Sequence, residues 1–346
     1  MPARITYFPR IMPMDNPAFR RRQIGPLTVT AIGLGCMNLN HAYGMPPSPR
    51  DAERLLLSAL DLGVDYFDTA ALYGFGANEA LIGRVLSPHR ARLVLATKGG
   101  MAGVLGKRVI DGRPEAIRGN CEDSLRRLRT ETIDLYYLHR WDRRVPIEES
   151  VGALADLKRQ GKVRAIGLSE VSAATLLKAN AIHPIAALQN EYSLWTRNPE
   201  IASLAACRRI GAALVAFSPL ARGFLTDTLH DVSVLPPQDL RRAMPRFSPE
   251  SYPRNLALLA GYTALAREAG CTPAQLALTW LLSRAEHVVP IPGTTRIEHL
   301  RENMSALEAH PTAEVLARVD GLINQCTVSG ARYNAAAQAD IDTEEF

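Results

Sequence analysis

Eight short apolar runs, rich in β-branched residues and separated by segments of helical period, constrain this chain more than any other feature. They lie at 29–35, 64–67, 93–97, 133–138, 163–168, 185–189, 212–217 and 288–291. Helical patterns fill 51–62, 78–86, 114–129, 146–160, 172–181, 199–209, 254–268, 273–284 and 312–324. In 114–129, Pro114 suits a first helical position, and Ile117, Cys121, Leu125 and Leu128 fall on one face. In 146–160, Ile147, Val151, Leu154 and Leu157 share a face, and Gly161 ends the helix. Strands that alternate with helices in this way predict an α/β fold, a parallel sheet closed into a single-domain (β/α)8 TIM barrel. The alternative is an open doubly wound sheet. Its first strand would normally run into a GxGxxG phosphate turn, and Gly33-Leu34-Gly35-Cys36-Met37-Asn38 lacks the third glycine.

The barrel is expected over residues 23–325. Residues 1–22 lack periodicity and read as a peripheral or disordered extension, and 326–346 as a C-terminal tail. The Pro- and Arg-rich stretch 220–253 reads as a long loop after strand 7, a length that is often functional. No apolar run approaches the ~18 residues of a membrane span, and the N-terminus lacks a secretory apolar stretch, so no membrane partner is expected. Five scattered cysteines without a CxxC pair argue for a reducing cytoplasm. The net charge of +5 comes from dispersed arginines rather than a basic stripe, which argues against nucleic acid. Of the 40 basic residues only five are lysine, so a lysine at a strand end stands out.

Catalytic residues of such a barrel stand at the C-terminal ends of its strands. Strand 2 ends in Asp68, with Tyr73-Gly74 in the following loop. Strand 3 ends in Lys98 and strand 4 in His139. Taken singly, Asp68 and Lys98 read equally well as a structural ion pair, His139 as a hydrogen-bonded core histidine and Tyr73 as loop packing. Together on one rim they form a coherent group. A free phenol titrates near ~10, and an ammonium held by a carboxylate stabilises its phenolate. Such a tyrosine is a general acid for a carbonyl that receives hydride, while a histidine orients the carbonyl oxygen. The hydride must come from a cofactor.

The run Gly63-Val64-Asp65-Tyr66-Phe67-Asp68-Thr69-Ala70-Ala71-Leu72-Tyr73-Gly74 closely resembles the signature of the aldo-keto reductase superfamily. The resemblance continues through Ala96-Thr97-Lys98, Asp134-Leu135-Tyr136-Tyr137-Leu138-His139, residues 161–169 and Ile291-Pro292-Gly293-Thr294-Thr295. It is strongest to the branch of pyridoxal reductases and potassium-channel β-subunits. It implies a reductase of aldehydes or ketones using NADPH, with NADH as the alternative. Tyr73 would be the proton donor, Lys98 and Asp68 would lower its pKa, and His139 would position the carbonyl. Ser169 and Gln189 match residues on the nicotinamide amide, and Phe217 matches an aromatic against its ring. Ser218, Leu220 and Arg222 fall on the pyrophosphate stretch. Gly293, Thr294, Thr295, Arg296, His299, Glu302 and Asn303 would hold the adenosine end. Gly35, Cys36 and Met37, with Asp68, complete the expected cofactor contacts.

Three positions depart from the family pattern. Glu170 stands where many members have Asn, Gly293 where other branches have lysine, and His299 where an arginine often meets the 2′-phosphate, a charge Arg296 could supply. For the small-molecule substrate, Cys36, Met37, Trp141, Tyr192 and Trp195 follow strand ends and would wall an apolar pocket, unless they are loop packing. Such a wall suits bulky or aromatic carbonyls. Three other functions remain open: a regulatory cofactor-binding barrel of the channel-subunit type, a Schiff-base aldolase on Lys98, and, weakest, a metal-dependent hydrolase, for which no metal-ligand spacing is present. Oligomeric state is not specified by the sequence.

Overall fold

The first described elements of the computed structural model form an antiparallel hairpin, β1 (Arg21–Ile24) and β2 (Leu27–Thr30). The structure describes residues 21–40 and 42–346, so the expectation of an extension over 1–20 lies outside the described residues. Arg21 and Arg22, placed in that extension by sequence, belong to β1. The expected first strand, 29–35, is in fact two elements: the end of β2, and β3 (Leu34–Gly35) of the barrel. Ala31–Gly33 turns the chain between them, which a continuous apolar run does not reveal.

The remaining elements follow the expected alternation closely. They are α1 (Pro49–Asp61), β4 (Tyr66–Asp68), α2 (Ala77–Leu86), β5 (Val94–Gly99), a second hairpin of β6 (Met101–Val104) and β7 (Lys107–Ile110), α3 (Pro114–Leu128), β8 (Ile133–Leu138) and α4 (Ile147–Arg159). Then come β9 (Val163–Ser169), α5 (Ala173–Ile182), β10 (Ala187–Glu191), α6 (Ser203–Ile210), β11 (Ala213–Phe217), α7 (Tyr252–Glu268) and α8 (Pro273–Arg284). The chain ends with β12 (Val288–Pro290), α9 (Ile297–Ser305), α10 (Ala313–Leu322) and α11 (Ala335–Ala339). Helix starts show their chemistry: Ser48, Ser172 and Thr312 cap α1, α5 and α10, and Thr272 with Gln275 forms a capping box on α8.

Strands β3, β4, β5, β8, β9, β10, β11 and β12 pair in parallel in that order. The Gly33 amide donates to the Pro290 carbonyl at 3.0 Å and the Gly35 amide to Pro292 at 3.1 Å, and a parallel bridge joins Gly35 to Gly293. The sheet is therefore closed, which excludes the open doubly wound alternative. Alanines 96, 165, 187 and 213 share the barrel interior with the large side chains of Tyr66, Leu135 and Tyr137, so small and large residues fill it without a pore. Ile24, Leu27 and Val29 of the first hairpin join that cluster and seal the end of the barrel opposite the strand C-termini. A larger core lies between the sheet and the helices. Among the described residues no helix is long and apolar enough to cross a membrane.

The long loop expected after the seventh barrel strand is present, organised as short 3-10 turns (Ala221–Thr226, Val232–Val234, Leu240–Ala243, Pro245–Phe247), whereas the expected tail changes. The C-terminal stretch folds back across the rim. Asp342 accepts from the Ser172 and Thr175 hydroxyls at 3.0 and 2.6 Å, Glu344 accepts from the Ala173 amide and Ser203 hydroxyl, and Ile341 is buried.

Candidate active site

Parallel strands place side chains at known heights, and the register carries Asp68 and Lys98 to the same rim. Asp68 pairs in register with Gly35 and Ala96, and Lys98, two residues beyond Ala96, pairs with Tyr137. The Lys98 ammonium forms a short ion pair with Asp68 Oδ1 and donates to the Thr69 carbonyl at 2.8 Å and the Tyr73 hydroxyl oxygen at 3.3 Å. Asp68 Oδ2 accepts from Gln189 Nε2 at 2.7 Å and from the Tyr66 hydroxyl at 3.4 Å. Both charges are buried, with side-chain exposure of 1% and 2%. Tyr73 is delivered by a tight loop: Gly74 and Phe75, directly after it, have φ of 56° and 53°. A Cβ at Gly74 would also sit 3.1 Å from the Asn40 Cβ, so glycine is needed there on both counts.

His139 closes the group, its ring edge-on to Tyr73 with centroids 5.9 Å apart. Burial first, then the Arg140, Lys98 and Arg108 charges, holds its imidazole well below the usual histidine range, so it is neutral. Its Nδ1 is buried without a hydrogen-bond partner among the described residues. Burial also raises the Tyr73 phenol above its ordinary value, and Lys98 pulls the other way without overcoming it. This revises the expectation that Lys98 and Asp68 both lower the phenol: only Lys98 does, while the Asp68 charge raises it and serves to hold the ammonium. The resting site therefore keeps a protonated phenol against a fixed ammonium, the state a proton donor needs. Lys98 itself is held protonated beside Asp68 and lies outside the cavity lining, unlike the desolvated, neutral amine of a Schiff-base nucleophile.

One cavity of about 620 Å³ runs from this group to α9. Of the residues expected from sequence it gathers Gly35, Cys36, Met37, Asp68, Tyr73, His139, Ser169, Gln189, Phe217, Ser218, Leu220, Arg222, Gly293, Thr294, Thr295, His299, Glu302 and Asn303. Asn303 Oδ1 is buried with no hydrogen-bond partner among the described residues. The loop after β11 holds three consecutive or near-consecutive non-glycine residues at positive φ, Ser218 (49°), Ala221 (50°) and Arg222 (59°). Each such residue costs ~1 kcal/mol or more, strain that concentrates at binding loops.

Arg222 is buried, and donates to Glu191 at 2.6 Å, Tyr43 at 2.9 Å and Tyr333 at 3.2 Å, joining three segments over the cavity. Glu170, the departure after β9, has φ of 57° and turns its carboxylate to the Glu191 amide and, at 2.5 Å, to Arg332. It anchors the C-terminal stretch and does not line the cavity.

Four expected site residues lie elsewhere. Tyr192 is fully buried against Trp280 and donates to Glu200 at 2.7 Å. Trp195 stacks on Phe224 at 4.2 Å and meets Phe247 edge-on. Trp141 packs against the outer core with its indole N–H on the Val145 carbonyl at 2.9 Å. These three are packing, not a substrate wall, because aromatic bulk is most stable where it is most covered. Arg296 stands at the N-cap position of α9 without capping it, its side chain 66% exposed and 3.8 Å from Glu298. The Trp195→Ala variant should accordingly lose about 3–5 kcal/mol of stability in urea melts; a changed KM at full stability would contradict this placement. Sequence reading missed Tyr43, Arg108, Arg140, Arg241 and Tyr333, all of which line the cavity. Of these only Arg140, next to His139, carried a positional signal.

A sequence model of the Aldo/keto reductase family matches residues 31–324. A probable aldo-keto reductase 1 of Glycine max is 43% identical over 307 residues, covering 88% of each chain. Among solved structures, a glycerol dehydrogenase from Gluconobacter oxydans superposes with a TM-score of 0.81 at 30% identity, over 88% of this chain and 95% of that one. An aldo-keto reductase from Bacillus halodurans, in its holo form, gives 0.74 at 29% identity, over 91% and 98%.

Proposed function

This chain belongs to the aldo/keto reductase family and is an oxidoreductase acting on carbonyls, and we propose that it reduces an aldehyde or ketone with NADPH through Tyr73, His139, Lys98 and Asp68. The observation that carries this reading is the protonated Tyr73 phenol held 3.3 Å from an ammonium that Asp68 fixes in place. NADPH, when bound, supplies the hydride. Tyr73 then gives its hydroxyl proton to the carbonyl oxygen, and Lys98 stabilises the phenolate left behind. Neutral His139 donates a hydrogen bond to the same oxygen and orients it without competing as an acid.

The lining residues suit a dinucleotide. Gln189 and Ser169 offer amide and hydroxyl groups beside Asp68, and Phe217 offers a ring face. Thr294, Thr295 and His299 put the start of α9 at the cavity end, and free amides of a helix start suit a phosphate. Arg296, 66% exposed and loosely paired with Glu298 at 3.8 Å, would have to turn in over the rim to meet a 2′-phosphate, and on that charge rests the choice of NADPH over NADH. Asn303 Oδ1 is a buried acceptor that an amino group of the adenine would satisfy. Asn303→Ala should therefore weaken NADPH binding by roughly fivefold to a hundredfold, the loss of about 1–3 kcal/mol, read by fluorescence quenching; an unchanged Kd would remove Asn303 from the cofactor site. The free thiols, with Cys36, Cys121 and Cys207 buried, support a reducing cytoplasm. Absorbance at 340 nm tests the reading: with NADPH and a panel of aldehydes and ketones it should fall, more slowly with NADH. Tight NADPH binding without turnover on any carbonyl would overturn it.

A further inference from the structure

Arg140 differs from the other arginines of the rim. It follows His139, lines the cavity and is half-buried, and its Nη1 donates to the His139 carbonyl at 2.7 Å and to Ser169 Oγ at 3.3 Å. Among the described residues no carboxylate pairs with it. Its loop neighbours are neutralised: Arg144 by Asp142 at 2.8 Å, and Arg143 by Asp342 at 3.9 Å. So are the cavity arginines of the loop after β11, Arg222 by Glu191 at 2.6 Å and Arg241 by Asp239 at 2.7 Å. A half-buried guanidinium without a counter-charge is under-compensated.

A second guanidinium reaches the same place. Arg108 of β7 lines the cavity, is half-exposed, and pairs with Asp340 of the C-terminal stretch. The two carboxylates that line the cavity are Asp68, engaged by Lys98, and Glu302 on α9 at the far end. Among the described residues, the Arg140 charge at the catalytic end is thus offset by no carboxylate.

We propose that the carbonyl substrate bears an anionic oxygen group, a carboxylate or a phosphate, gripped by Arg140 with Arg108 assisting from the hairpin. The inference rests on the reductase reading above. Guanidinium N–H groups match two oxygens of such an anion in one plane, while Leu72 and Met101 are apolar lining for the carbon skeleton. Arg140, fixed beside His139, sets the distance between anion and carbonyl. Arg108 must share Asp340 and contributes less.

Matched pairs test this: 4-carboxybenzaldehyde against its methyl ester, and glyceraldehyde 3-phosphate against glyceraldehyde, with NADPH at 340 nm. The wild-type kcat/KM should favour the charged member of at least one pair by about tenfold to a hundredfold, the factor of one charge-assisted hydrogen-bonded pair. Which pair discriminates identifies the anion. Arg140→Gln should bring that ratio near one, and Arg108→Gln should lower it a few-fold. Using the ratio cancels any general damage to the site. Turnover of both members with a ratio of one, or a ratio indifferent to Arg140→Gln, would overturn the inference and leave the reductase reading standing. No turnover of any member would sink both.

Discussion

Replacing Tyr73 by Phe should lower kcat by about a hundredfold to ten-thousandfold, the range for losing a positioned general acid, while NADPH still quenches protein fluorescence. The ring packs where it did, edge-on to His139, so the fold and the cavity survive. What disappears is the hydroxyl against the Lys98 ammonium, and with it the proton destined for the carbonyl oxygen. The wild-type pH profile should agree. Burial holds Tyr73 above its ordinary value near ~10, so reduction should continue through neutral pH and fail only as the phenol ionises at higher pH. Burial holds His139 well below its ordinary value near ~6.5, so no acid limb from imidazole protonation should appear between pH 6 and 7. A variant that turns over at the wild-type rate would remove Tyr73 from the chemistry.

Lys98→Met should cost both stability and activity. Asp68, 2% exposed, would keep hydrogen bonds from Gln189 and Tyr66 but lose the one cation that pairs with it among the described residues. Breaking a buried pair from one side costs roughly 3–5 kcal/mol, measurable as a lower urea midpoint at unchanged slope. The Tyr73 phenol would meanwhile lose Lys98, the largest of the charges that favour its ionised form, with Arg140 left as a smaller one, and kcat should fall by about a hundredfold or more. The double variant Asp68→Asn, Lys98→Met separates the two effects. Removing both charges should return most of the stability and none of the activity. If activity returned as well, the pair would be structural only.

The proposed catalytic group was legible because it depends on two regularities that sequence carries. Strands announce their ends, and in a barrel those ends share one rim, so Asp68, Lys98 and His139 could be brought together without coordinates. Aromatic side chains carry no such signal: Trp195 and Tyr192 follow β10 as a pocket wall would, yet their bulk draws them under Phe224 and Trp280. The β6–β7 hairpin was missed because its strands lack polar alternation, and its turn is Leu105-Gly106, not the Asn-Gly that announces such turns. Leu105 holds φ of 49° while 99% exposed. The C-terminal stretch looked like a tail because its meaning lies in distant partners. Asp342 and Glu344 serve as caps and anchors for Ser172, Thr175, Ala173 and Ser203, and Arg332 answers Glu170 and Glu191. None of these pairings has a spacing that sequence could display.

The central claim is that hydride passes from NADPH to a carbonyl carbon in this cavity. The most direct measurement uses NADPH deuterated at C4 of the nicotinamide on the transferred face, with mass analysis of the product. The account predicts an alcohol carrying one deuterium on the carbinol carbon, formed by the wild type and lost in Tyr73→Phe. Saturating NADPH binding with no deuterated alcohol from any carbonyl would contradict it, leaving a barrel that holds its cofactor without turning it over.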